Sequence, residues 1–163
     1  MRKGLIPVMV LSFFLIVIIT STGQGHNNSA PNFECIACHE GEFVPDMVTI
    51  EGLPQAFVPG KLYSLTAKVT SSLKSEGDVA GGVAVEVTGG ELIASDKVHT
   101  QISDSLLTHT QEGSQFRRWS FNWKAPAKRE EVSINIMAVA ANGDFSATGD
   151  QVGANSYIIK PAK

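Results

Sequence analysis

Beyond position 46 the chain alternates apolar and polar residues with a period of two, and nowhere is a helical period sustained. The clearest alternation lies at 117–124, where Trp119, Phe121 and Trp123 fall on one side and Arg118, Ser120, Asn122 and Lys124 on the other. The same pattern predicts strands over 47–51, over 62–70 with Tyr63, Leu65, Ala67 and Val69 together, and over 82–88 with Val83, Val85 and Val87 opposing Ala84, Glu86 and Thr88. It also predicts 132–140, with Val132, Ile134, Ile136 and Ala138 opposing Ser133, Asn135 and Met137, and a closing strand at 156–160. Pro54, Pro59-Gly60, Gly89-Gly90, Pro126 and Asn142-Gly143 fall between these runs, where residues that fix or free φ make turns. Short strands that each carry one apolar face predict an all-β domain, a two-sheet β-sandwich of Ig-like topology. A sandwich of about 115 residues buries roughly two thirds of its unfolded surface, enough to fold without a disulfide.

The first 24 residues break this pattern. Arg2 and Lys3 precede an apolar run at 5–19, interrupted by Pro7 and Ser12, and a polar stretch follows. A run of about 15 residues is short for a membrane span, which needs roughly 20, so the segment reads as a secretory signal peptide. Ser21 and Gly23 only approximate a cleavage site, which keeps an uncleaved N-terminal membrane anchor as the alternative. Either way, residues after 24 are expected outside the cytoplasm, with Arg2 and Lys3 staying inside. Residues 25–34 are polar and carry Pro31. The expected organisation is therefore a leader at 1–24, a tether and chemistry-bearing segment at 25–45, and the sandwich at 46–163. Asn27-Asn28-Ser29 is a weak N-glycosylation sequon in that tether.

Composition narrows the function. Of 163 residues, 43% are hydrophobic and 18% charged, as in an ordinary globular domain. The net charge of −3, with no basic run after residue 3, lacks the electrostatic footprint of nucleic-acid binding. No G-x-S-x-G elbow, H-E-x-x-H pair or phosphate loop occurs, so no enzymatic activity is expected.

The strongest chemical signal is Cys35-Ile36-Ala37-Cys38-His39, which uses both cysteines of the chain. In a C-x-x-C-H motif the two thiols can each form a thioether to a haem vinyl group while the adjacent histidine meets the iron, so the expectation is one covalently bound haem c on Cys35 and Cys38 with His39 as proximal ligand. A Cys35–Cys38 disulfide or dithiol pair is the plainer alternative for an exported chain. A loop that short stabilises little, and a thioredoxin-like pair would want a βαβ setting that the pattern lacks. Zinc would need two further ligands. A sixth iron ligand has four candidates, His26, His99, His109 and Met137, among which the residues themselves do not decide. Asp144 and Asp150, beside Gly143 and Gly149, are candidate calcium ligands, although acids in surface turns are far commoner.

The order of these segments resembles a known family. Ser29-Ala30-Pro31 ahead of the cysteine motif and Glu40-Gly41, then Val48-Thr49-Ile50-Glu51-Gly52-Leu53-Pro54 and 57–66, are similar to the opening of the Reeler-type domains called choice-of-anchor V. Leu107-Thr108-His109-Thr110, 119–126 and Ala140-Ala141-Asn142-Gly143-Asp144 continue the resemblance, which spans about 29–160. It implies a reelin-like β-sandwich on exported or surface-attached proteins, and in members with C-x-x-C-H it implies that the Thr-His-Thr segment supplies the distal ligand, here His109. Family members often carry a C-terminal anchoring segment; this chain ends on Lys160-Pro161-Ala162-Lys163, which shifts the expected attachment to the N-terminus or to a soluble product.

Two imidazoles saturate an iron and leave no position for oxygen, so the leading expectation is an exported monohaem protein for extracytoplasmic or cell-surface electron transfer, with redox proteins as partners and self-association as a further option. The rival expectations are a surface adhesion or recognition module in which haem is incidental or absent, and a haem sensor with an open sixth site.

Overall fold

The computed structural model describes Ala30, residues 33–36 and residues 38–163. The leader, His26 and the sequon lie outside the described residues. The described chain forms β1 (Glu40–Phe43), β2 (Val48–Glu51), β3 (Ala56–Phe57), β4 (Leu62–Val69), β5 (Gly81–Val87), β6 (Glu91–Ile93), β7 (Thr100–Ser103), β8 (Leu106–His109), β9 (Arg118–Lys124), β10 (Val132–Ala140) and β11 (Thr148–Pro161). These make two sheets: a larger one in the order β1-β11-β10-β5-β8-β7, with β3 beside the far end of β11, and a smaller one in the order β2-β4-β9-β6. The all-β two-sheet sandwich expected from the alternation is the observed architecture.

The core follows the period-two pattern. Trp119, Phe121 and Trp123 of β9 are fully buried against Val132, Ile134, Ile136 and Ala138 of β10 and Val83 and Val85 of β5. Each buried indole N–H must find an acceptor, and does: Trp119 donates to the Gly113 carbonyl at 2.8 Å and Trp123 to the Gly89 carbonyl at 3.0 Å. Phe57 meets Trp123 edge-on at 5.7 Å and Tyr63 stacks on it at 5.6 Å, so β3 beside the large sheet and β4 and β9 of the small one meet at one aromatic centre.

Several elements differ from the sequence expectation. The last strand is far longer than 156–160, running over Thr148–Pro161, because its first half is held by ladders on both sides rather than by its own alternation. The middle segment folds into the β7–β8 hairpin, turned by Asp104 and Ser105, which both adopt the left-handed conformation at φ 50° and 68°. Within 25–45, expected as a tether and haem-attachment segment, lies a strand: β1 pairs in parallel with the first half of β11, through Glu40 with Thr148, Glu42 with Gln151 and Phe43 with Val152. The sheet therefore begins one residue after the cysteine motif.

Candidate functional site

Three devices bring the cysteine motif onto the large sheet. The first is local: the amides of Cys38 and His39 both donate to the Cys35 carbonyl, at 3.2 and 3.0 Å, which holds the three residues together. The second is Gly41. A Cβ at this position would run into the backbone carbonyl of Asp150, with the carbonyl carbon at 2.6 Å, so only glycine lets β1 approach β11 this closely. The register shifts between Glu40 and Glu42 at the same point, which tucks the start of β1 against β11. The third is the bond this approach permits: His39 Nδ1 lies 2.6 Å from Asp150 Oδ2. Asp150 is buried at 3% exposure, while the His39 side chain keeps 38%. With Nδ1 donating to the carboxylate, the His39 Nε2 carries the lone pair.

Beside this pair is an apolar patch separate from the main core. Because the even-numbered residues of β10 face the sandwich interior, Val139 and Ala141 face the other way, and with Val152 they form a second buried cluster against which Cys35, Val79 and Met137 pack. Val139 stands between Val152 and Gly82 in the ladder. Burial in this setting, together with the neighbouring Cys38, raises the Cys35 thiol to about 11. Both cysteines are free thiols, Cys38 exposed and Cys35 half-buried.

His109, at the end of β8, reaches the same end of the sandwich. Its ring lies against Gly82, where an added Cβ would be only 2.8 Å from Cε1, so the glycine makes the seat for the imidazole. Nδ1 is held by the Val83 backbone, 3.2 Å from the amide nitrogen and 3.4 Å from the carbonyl oxygen, an arrangement that accommodates either tautomer. Loss of hydration holds the His109 imidazole below its ordinary value, opposed by the Val83 backbone bond and reinforced by the nearby His39. Arg117 braces this end of the fold, donating to the carbonyls of Ala80, Ser71 and Ala141.

Of the other candidates, His99 and Asp144 are held in local bonds. His99 is paired with Asp96 at 2.6 Å and packs edge-on against Phe116. Met137, also a sixth-ligand candidate, packs on the same patch as Cys35. Asp144 accepts from the amide and hydroxyl of Ser146, the role of an ordinary turn acid. Asp150, read in the sequence with Asp144 as a candidate calcium ligand, turns inward to His39 and the Asn142 amide. Sequence reasoning missed this pairing, because nothing local marks Asp150 as the partner of a histidine 111 positions away. Among the described residues no three His, Cys, Asp or Glu side chains gather as a metal site. That donor count is what zinc or calcium needs; a haem iron takes four ligands from its own ring and only two from protein. The residues present fit such a group in kind: two thiols beside His39, two imidazoles each held at Nδ1, and an apolar patch against which Cys35 packs.

The fold is that of a Reeler-like β-sandwich. The solved Reelin-N domain of F-spondin superposes with a TM-score of 0.57 at 15% identity, covering 83% of this chain and all of that one. The human F-spondin reeler domain gives 0.56 at 14% identity over 77% of this chain and 96% of the domain, and a second fragment gives 0.51 at 15% identity over 75% and 96%. At these identities the likeness is one of fold. No family model and no curated protein matches the sequence. Among the described residues no helix is long and apolar enough to cross a membrane.

Proposed function

We propose that the chain is an exported Reeler-like β-sandwich carrying one haem c on Cys35 and Cys38, with His39 and His109 as axial ligands, and that it transfers single electrons outside the cytoplasm. The supporting observation is that Cys35 packs on the outward patch of Val139, Ala141 and Val152, with His39 bonded to Asp150 two residues before Val152 on β11 and His109 seated against Gly82, the ladder partner of Val139. Cys35 and Cys38 would hold the group by thioethers, and the two bonds to the Cys35 carbonyl keep them beside His39. The haem would supply a reversible one-electron couple, whose potential follows from ligand identity, burial and hydrogen bonding. The chain's part is to hold both imidazoles fixed at Nδ1, to provide the apolar wall of Val139, Val152 and Val79, and to leave the exposed Cys38 side open to a redox partner protein. Two protein ligands leave no open iron position, so neither oxygen binding nor catalysis is proposed. Export follows from the leader at 1–24, acting as a cleaved signal or as an N-terminal anchor.

The experiment is expression of the full chain with its own leader in a host that matures c-type cytochromes, followed by haem staining after denaturing electrophoresis and intact mass. The expected product keeps one haem through denaturation and loses it in a Cys35→Ser, Cys38→Ser double variant. A second reading, a surface recognition module with a Cys35–Cys38 disulfide or no haem, draws on the likeness to the F-spondin domains and is the better supported of the two at the level of fold. A haem-free product whose mass is two hydrogen atoms below the dithiol would favour it.

A further inference from the structure

We infer that Asp150 is a positioning residue for the site, fixing the orientation of His39 and raising its donor strength toward the iron; the inference rests on the haem reading above. Asp150 is a carboxylate at 3% exposure on β11, the strand between β1 and β10. Among the described residues no lysine or arginine forms an ion pair with it, and its ion-pair partner is the histidine of the cysteine motif. Its second oxygen, Oδ1, accepts the Asn142 amide at 3.0 Å, so both oxygens are directed and the carboxylate cannot rotate away. Burying an acid with no strong cation beside it is costly, and a fold that needed only packing here would carry an apolar residue. The arrangement instead suits a metal-bound imidazole. A carboxylate accepting from Nδ1–H fixes the tautomer, leaves Nε2 for the metal and pushes negative charge onto the ring, which favours the oxidised iron.

The glycine at 41 is part of the same device. It brings β1 onto the backbone of Asp150, and without that approach the 2.6 Å bond between Asp150 and His39 could not form. The cysteine motif is thereby oriented by a residue of the sandwich and not only by its own turn.

The test compares the holoprotein with its Asp150→Asn variant, which keeps the side-chain shape and the Oδ1 acceptor for Asn142. Haem staining is expected to be equal in both. The reduction potential is expected to rise, with at least a tenfold loss in the relative stabilisation of the oxidised iron, which for one electron is about 59 mV. In a His109→Ala background, where the reduced iron is five-coordinate, the iron–histidine stretching band in the Raman spectrum is expected to move to lower frequency in the Asn variant. A merely structural role for Asp150 would move neither. Should the variant fail to fold, the unaltered reduced protein decides: a slowly exchanging, downfield His39 Nδ1 proton in its NMR spectrum supports the inference and its absence overturns it. Haem attached with potential and stretch unchanged overturns the role of Asp150 alone, whereas no haem in the unaltered protein overturns the haem reading as well.

Discussion

Gly41→Ala isolates the contact on which the geometry of the site depends. The added Cβ would sit 2.6 Å from the Asp150 carbonyl carbon and 3.3 Å from the Gln151 nitrogen, and these are backbone atoms of a strand paired on both sides, which cannot yield. Relief requires β1 to shift by roughly 1 Å, beyond what a well-aligned hydrogen bond tolerates. Overpacking of this kind costs about 1–3 kcal/mol. The shift also breaks the His39–Asp150 bond, which as a charge-assisted pair would contribute about 1.5–3 kcal/mol if buried. Since the His39 side chain is 38% exposed, about 1 kcal/mol is the better figure for it. The sum, about 2–4 kcal/mol, lowers Tm by roughly 6–15 °C for a domain of this size. Thermal unfolding of the haem-free chain followed by circular dichroism measures it, and limited proteolysis should show new cleavage in the cysteine segment below the transition. A Tm within about 2 °C of the parent, with unchanged proteolysis, would refute the close approach of β1 to β11.

Further expectations follow from the same contacts. His109→Ala should convert a low-spin haem spectrum to high-spin without loss of attachment, whereas His99→Ala should leave it unchanged, since His99 is occupied with Asp96 and Phe116. In the haem-free chain, burial keeps His109 neutral below its ordinary value of 6.5, so the unfolded state binds the proton first; stability should be full above about 6.5 and fall as pH drops below it, and the slope should flatten in His109→Gln. A Cys35 thiol raised from 9.0 to about 11 carries about a hundredfold less thiolate than an ordinary cysteine at neutral pH, so iodoacetamide followed by peptide mass mapping should modify Cys38 well before Cys35. Trp119→Phe removes the donor to the Gly113 carbonyl and should destabilise the fold by about 1–3 kcal/mol in denaturant titration.

The parts of the fold that were legible in the sequence are those in which side-chain burial sets the structure. β9 and β10 alternate almost without exception because one face of each is in the core, and their bounds fall within a residue of expectation. The elements that escaped are held by backbone pairing. β1 reads Glu-Gly-Glu-Phe, with no apolar alternation, and is kept by its parallel ladder to β11 and by the absence of a Cβ at Gly41. β11 is interrupted by Gly149, Gly153 and Asn155, so only its last turns of alternation were visible. The β7–β8 hairpin turns through Asp104-Ser105, a weaker signal for two left-handed residues than Asn-Gly. For the site, spacing marked the cysteine motif and family resemblance marked His109, but the acid behind His39 and the glycine beneath His109 are brought in by strand order, which no local pattern encodes.

The most direct test of the central claim is the visible absorption spectrum, oxidised and dithionite-reduced, of the full chain matured with its own leader. The account predicts a low-spin, six-coordinate spectrum in both states, with the haem retained after acid–acetone extraction, as thioethers at Cys35 and Cys38 and axial binding by His39 and His109 require. A colourless protein from a competent host would contradict it and leave the surface-recognition reading in its place.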